Sequence, residues 1–91
     1  MGEFGWFWQR VVDESIELRD TSAPWIAPLA MRRLRIIESI TLMQKVDGKL
    51  INLLFSDEEA RRVRYLRERM TDPDVRERTN SYLRLRLNGR R

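Results

Sequence analysis

The side chains in this sequence that could perform chemistry are carboxylates, tyrosines and arginines, because the chain has no histidine and no cysteine. Without histidine it lacks the usual general base near neutral pH and the commonest metal ligand. Without cysteine it has no thiol nucleophile, no thiolate zinc site and no disulfide. These two absences weaken most enzymatic interpretations. We therefore predict a protein that is not an enzyme and that uses no cofactor.

Three carboxylates are predicted to lie on one side of the first helix, at Asp13, Glu17 and Asp20. Oxygen ligands arranged in this way would suit a magnesium ion. A solvated acidic face that pairs with Arg10 or with the basic half of the chain explains them more simply. The stretch Asp47-Gly48-Lys49 lacks the glycine spacing of a phosphate-binding loop, and no serine lies in a nucleophile elbow. We predict neither catalytic residues nor a metal site.

Arginines are concentrated in the C-terminal part of the chain. Residues 60–91 carry eleven arginines against four acidic residues, whereas residues 1–46 carry six basic and six acidic residues. The guanidinium group has a planar fork of donors that suits phosphate, and it stacks on aromatic rings. Arginines beside an exposed aromatic residue provide what phosphate contact and base stacking require. The predicted nucleic-acid-binding residues are Arg61, Arg62, Arg64, Tyr65, Arg69, Arg76 and Arg84.

Two simpler explanations of these arginines stay open. Glu58 with Arg62 and Arg64 with Glu68 are spaced four residues apart, so part of the charge would only form ion pairs on a solvated helix surface. Lysine occurs only at positions 45 and 49, and a GC-rich genome would produce the same preference for arginine with no functional meaning.

Helical periodicity accounts for most of the chain. Apolar residues recur on one face over residues 4–19 and over residues 28–46, with Gly48 placed as a left-handed cap after the second helix. Ser56 followed by Glu59 is a capping box, which predicts a helix from Ser56 to about residue 70.

The stretch Asp72-Pro73 predicts the start of a last helix, which Asn88-Gly89 would end, although residues 82–87 also alternate like a strand. We predict an all-α fold, with residues 1–91 forming one small domain of three to four helices. Residues 1–46 would form an aromatic, charge-neutral half, and residues 56–91 an arginine-rich half.

One alternative fold stays open in the middle of the chain. Asp47-Gly48 is a strong signal for a two-residue hairpin turn, and the apolar segments on both sides of it would suit two strands. The result would be an α+β domain with the order α-β-β-α.

A second hypothesis for function is assembly with a protein partner or with a second copy. The helix predicted from Ser56 to about residue 70 carries a narrow apolar stripe, which is typical of a coiled-coil seam. Large aromatic residues near the N-terminus would serve as anchors. The residues predicted for such an interface are Trp6, Trp25, Val63, Leu66 and Met70.

The chain has no run of about 20 apolar residues that would span a membrane. No apolar segment of a secretory signal follows the N-terminus. We expect a cytoplasmic protein without a transmembrane segment.

Overall fold

The computed structural model describes the backbone of residues 2–21 and 23–88, and the side chains of residues 9–21 and 23–87. Within these residues the chain forms five α-helices and no strand. In chain order the helices are α1 (Gly2–Thr21), α2 (Ala27–Thr41), α3 (Gly48–Leu54), α4 (Asp57–Arg69) and α5 (Pro73–Asn88). The all-α class is confirmed, but the predicted number of three to four helices is too low. The helix that was not predicted is the short α3.

One hydrophobic cluster receives side chains from all of these helices. Helix α1 packs along α2, and α4 packs against α1, α2 and α3. The radius of gyration is 12.4 Å, close to the value of about 12 Å for a compact domain of this length. The buried core consists of Val11, Val12, Ile16, Leu34, Ile36, Ile37, Ile40, Ile51, Phe55, Ala60, Val63, Leu66, Met70 and Leu83.

Helix α2 ends at Thr41, earlier than the predicted end near residue 46. Met43 has a φ of 60°, in the left-handed region. Its N–H donates to the Ile40 carbonyl at 3.0 Å, and the Gln44 N–H donates to the Ser39 carbonyl at 2.9 Å. These two bonds form a Schellman motif, which satisfies the last carbonyls of the helix. A methionine occupies the position where glycine is usual, so the residue types do not reveal this helix end.

Gly48 begins a helix and does not end one. The Asp47 side chain accepts a hydrogen bond from the Lys49 N–H at 2.9 Å and so caps the N-terminus of α3. The alternative of a hairpin at Asp47-Gly48 is therefore excluded for these residues. Ile51 and Phe55 would share a face in a strand as well as in a helix. A strand would also place Leu53 on that face, but Leu53 is 74% exposed whereas Ile51 and Phe55 are buried.

The predicted capping box at the start of α4 is confirmed. Ser56 Oγ accepts a hydrogen bond from the Glu59 N–H at 3.2 Å, and Glu59 Oε1 accepts one from the Ser56 N–H at 3.1 Å. These bonds satisfy two of the donors that a helix start leaves without a partner. The acidic residues of the first turn also favour the positive end of the helix dipole.

Helix α5 begins at Pro73, as predicted, and the Asp72 carboxylate accepts a hydrogen bond from the Asp74 N–H at 3.0 Å. Residues 82–87 continue this helix and do not form a strand. Thr79 and Leu83 are buried on the inner face. The helix packs mainly on α2, and its side chains reach across to α1.

Two hydrogen bonds join α5 to α1. The Tyr82 hydroxyl donates to Asp13 Oδ1 at 2.5 Å, and Arg86 Nε donates to the same oxygen at 3.1 Å. Burial raises the pKa of Tyr82 to about 12, and the hydrogen bond to Asp13 and its negative charge act in the same direction. A single carboxylate therefore holds two side chains of the last helix.

Candidate nucleic-acid interface

The outer face of α4 carries the central group of the predicted nucleic-acid-binding residues. At 100° per residue, Arg61, Tyr65 and Glu68 point away from the buried stripe of the same helix. The side chains line an open depression of about 400 Å³. Tyr65 is 43% exposed. The residues that line the depression are Arg61, Arg62, Arg64, Tyr65 and Glu68.

Neighbouring side chains fix two of the arginines in this depression. Arg62 donates to Glu58 at 2.9 Å, an ion pair between residues four apart that was anticipated from the sequence. Arg64 donates to the Asn52 side chain of α3. Arg61 makes neither a hydrogen bond nor an ion pair within the described part of the chain. The α4 face therefore combines an unpaired cation, two oriented cations and an exposed aromatic ring.

The other predicted nucleic-acid residues lie on different surfaces. Arg69, at the C-terminal end of α4, faces Asp72 at 3.8 Å. Arg76 and Arg84 belong to α5, where they line a separate groove between that helix and the end of α2. The structure thus brings Arg61, Arg62, Arg64 and Tyr65 together, and it separates them from the arginines of α5.

Two of the three carboxylates singled out on α1 are engaged in contacts within the protein. Asp13 accepts from Tyr82 and Arg86, as described above, and Asp20 accepts from Arg19 at 2.8 Å. Glu17 is exposed. Among the described residues, no group of three or more acidic side chains is arranged to hold a metal ion.

A buried ion pair behind α4 was not predicted from the sequence. Arg33 of α2 is only 8% exposed and donates to Glu59, the residue that completes the capping box of α4. Its guanidinium lies 4.7 Å from the centre of the Phe55 ring, within the range of a cation–π interaction. Arg33 lies among the buried residues of α2, and its partner lies 26 residues away in the sequence, so helical spacing alone does not indicate the pair.

Glu59 also contributes to a raised pKa of Glu14, a carboxyl group of α1. Partial burial raises the pKa of Glu14 above its ordinary value of 4.5, and both a hydrogen bond to Glu59 and the charge of Glu59 raise it further. For Glu59, burial alone would raise the pKa, but the hydrogen bonds from Ser56 and the charge of Arg33 lower it on balance. The two carboxylates therefore favour a state in which Glu59 is ionised.

The predicted protein interface is only partly available. The side chains of Val63, Leu66 and Met70 are each 2% exposed or less, because α1, α2 and α3 cover this side of α4. The stripe is thus a core face of the chain itself and is not an exposed seam. Trp25 is 77% exposed in the turn before α2. The Trp6 side chain lies outside the described side chains.

No protein-family model, no curated protein and no solved structure matches this chain. None of the helices in the described part of the chain is long and apolar enough to cross a membrane.

Proposed function

We propose that the protein is a small binding protein whose α4 face contacts the phosphates of nucleic acids. The observation that carries this proposal is the position of Tyr65, exposed between Arg61 and Arg64 on a capped helix. Guanidinium groups donate to phosphate oxygens, and an exposed ring offers a stacking surface to any base. Such a face binds without reading sequence.

The rigidity of α4 supports the proposal. The capping box fixes the start of the helix, and its apolar stripe is anchored in the core, so the arginines project from a fixed frame. The hydrogen bond from Arg64 to Asn52 limits the rotamers of that guanidinium before any ligand arrives. Less conformational entropy is then lost on binding. Glu68 in the same depression opposes polyanion binding, so we expect moderate affinity.

The test is a titration of a labelled single strand and a labelled duplex of mixed sequence, followed by fluorescence anisotropy at two salt concentrations. We expect the double variant Arg61→Ala/Arg64→Ala to weaken binding to all sequences about equally. The slope of log affinity against log salt should fall by about 0.7–0.9 for each lost phosphate contact.

The matched control is Arg32→Ala/Arg35→Ala, which removes the same charge from two exposed positions of α2. If both double variants weaken binding equally, net charge and not the α4 face is responsible. Absence of any salt-sensitive complex at micromolar protein would refute the proposal.

A role in protein binding is the second candidate, and the exposure of Trp25 favours it. Trp25 and Leu29, four residues apart in the sequence, are 77% and 47% exposed, and exposed tryptophans often anchor interfaces. If they mediate self-association, the mass of the wild type by sedimentation equilibrium should exceed the monomer mass, and Trp25→Ala should return it to the monomer. A wild type that stays monomeric up to about 100 μM would exclude self-association tighter than that concentration.

A further inference from the structure

The groove between α5 and the end of α2 has its own chemistry, distinct from that of the α4 face. It encloses about 620 Å³, within the range of pockets that hold small ligands or short peptide segments. No residue is shared with the α4 depression. Its lining consists of Thr41, Leu42, Met43, Pro73, Arg76, Glu77, Asn80, Ser81 and Arg84.

Arg76 is a half-buried cation without an acidic partner in the described part of the chain. Its Nη1 donates to the Met70 carbonyl at 3.0 Å and to the Met43 sulfur at 3.1 Å. Both acceptors are neutral, so they orient the guanidinium but leave its charge uncompensated. A partly desolvated guanidinium gains from an anion placed beside it.

Arg84 provides a second positive charge two helical turns further along α5. Arg76, Asn80 and Arg84 are spaced four residues apart, so they form one row on the helix surface. At 1.5 Å per residue the two ends of the row lie about 12 Å apart along the helix axis. Arg84 is exposed and makes neither an ion pair nor a hydrogen bond within the described residues. The row therefore offers two anion positions at a fixed separation.

The opposite wall of the groove is apolar. Leu42 and Met43 follow the last turn of α2 and are 56% and 55% exposed. The left-handed backbone conformation of Met43 turns the chain after α2 and so determines where the side chains of Leu42 and Met43 lie. An apolar group on a ligand held by the two arginines would have these side chains to pack against.

We propose that this groove binds an extended peptide segment with two acidic side chains four residues apart and an apolar side chain midway. In an extended chain four residues span about 13 Å, and side chains at alternate positions point to one face. All three side chains would then face the groove together. The acidic groups would meet Arg76 and Arg84, and the apolar group would meet Leu42.

The polar residues of the groove favour a peptide over a polynucleotide. Glu77 places a carboxylate beside the row, and Asn80 and Ser81 add side-chain acceptors. A peptide backbone offers N–H donors to such groups. A phosphodiester backbone has no such donor and carries a negative charge at every nucleotide, so Glu77 would repel it more than it repels a peptide with two charges.

The test uses a blocked pentapeptide, Glu-Gly-Leu-Gly-Glu, added to the isotope-labelled protein and followed by two-dimensional NMR. We expect the amide signals of Leu42, Met43, Asn80 and Ser81 to shift on titration. A Gln-Gly-Leu-Gly-Gln peptide should bind at least about fivefold more weakly, because it loses both charge-assisted contacts.

Two variants of α5 complete the experiment. Arg84→Gln should weaken binding of the acidic peptide by about fivefold, while Arg78→Gln, an exposed position on another side of the same helix, should change it by less than about twofold. Circular dichroism should show both variants folded, which is expected because both side chains are exposed.

Three outcomes would overturn the proposal. The first is the absence of shifts at these amides with millimolar acidic peptide. The second is equal affinity for the two peptides, which would mean that the arginines are not used. The third is displacement of the acidic peptide by inorganic phosphate or an oligonucleotide, which would make the groove a general anion site. Failure here leaves the α4 proposal intact, because that proposal is tested by Arg61→Ala/Arg64→Ala on other residues.

Discussion

At the scale of single residues, the ion pair between Arg33 and Glu59 joins α2 to the capping box of α4. Arg33 is buried between Glu59 and the Phe55 ring, and its Nε has no hydrogen-bond partner in the described part of the chain. A buried ion pair is costly to break from one side, because the remaining charge is left uncompensated. Glu59 is also the last acceptor of the capping box, so the same carboxylate serves tertiary structure and the start of α4.

The first prediction at this scale concerns Glu14. Its raised pKa means that the folded state resists ionisation of this carboxyl, so the stability it contributes is present below about pH 4.5 and is lost as the pH rises through the folded-state pKa. Glu14→Gln removes the ionised group next to Glu59. We expect this variant to be more stable than the wild type at pH 7, by less than about 1 kcal/mol because the site is exposed.

Urea unfolding of both proteins at pH 7 and at pH 3.5 checks this prediction. The difference in the free energy of unfolding should shrink at the lower pH, where Glu14 is protonated in both states. Glu17→Gln on the same helix is the matched control, since Glu17 is equally exposed. Equal effects of the two variants would contradict the role assigned to the Glu59 charge.

The stability that Glu59 contributes depends on pH in the opposite direction to that of Glu14. Its lowered pKa means that it contributes stability above its ordinary value of 4.5, and this contribution is lost as the pH falls through the folded-state pKa. Acid unfolding should therefore begin with loss of the contact to Arg33 and of the cap on α4.

At the scale of the elements, the starts of α4 and α5 could be predicted from the sequence, whereas the end of α2 and the start of α3 could not. The capping box at Ser56 and the start at Asp72-Pro73 are local patterns, because their side chains accept hydrogen bonds from backbone groups nearby. Such patterns can be recognised in the sequence. The end of α2 depends on a methionine in the left-handed region, which residue type does not indicate. Asp47-Gly48 suits both a hairpin turn and a helix start, and the exposure of Leu53 between the buried Ile51 and Phe55 fits only the helix.

The left-handed conformation of Met43 leads to a prediction at the element scale. A side chain in this region of the backbone map costs about 1–2 kcal/mol, a strain that glycine avoids. Met43→Gly loses the contact between the sulfur and Arg76 and has a more flexible unfolded chain. We expect a net stabilisation of about 0.5 kcal/mol, measured by thermal unfolding.

The control for this variant is Gln44→Gly, the next residue in the same cap. Met43 has the only positive φ among the described non-glycine residues, so glycine at position 44 relieves no strain. It should destabilise the protein slightly, by about 0.5 kcal/mol. A destabilisation at both positions would show that the side chain of Met43 contributes more than its backbone strain removes.

At the scale of the whole molecule, the charge-neutral half and the arginine-rich half contribute side chains to one hydrophobic core. The apolar stripe of α4 was correctly placed on one face, but it was predicted to form an interface, because a single helix does not show what will cover it. In the structure α1, α2 and α3 cover that face. The arginine pattern likewise identified the α4 face, but it could not show that α5 carries its arginines to a different surface.

The last prediction concerns the attachment of α5. This helix packs mainly on α2, and one carboxylate of α1, Asp13, accepts hydrogen bonds from both Tyr82 and Arg86 of α5. We expect Asp13→Ala to destabilise the protein by about 1–2 kcal/mol, because a half-buried hydroxyl and a cation lose their acceptor. Amide hydrogen exchange should accelerate in residues 73–88 before it does so in α2 or α4.

Tyr82→Phe is the companion variant, because it removes only one of the two hydrogen bonds. It should accelerate exchange in the same segment to a smaller extent, and the phenol that titrates near pH 12 in the wild type should disappear from the absorbance titration. Uniform acceleration throughout the chain would instead mean that α5 unfolds only together with the core.

The hydrogen bond between Tyr82 and Asp13 also bears on the order in which the chain folds. It joins residues 69 positions apart, so it closes a loop that contains most of the sequence. Closing such a loop costs entropy that the intervening contacts must offset first. We expect this contact to form after the folding transition state, so that losing it speeds unfolding and leaves the folding rate nearly unchanged.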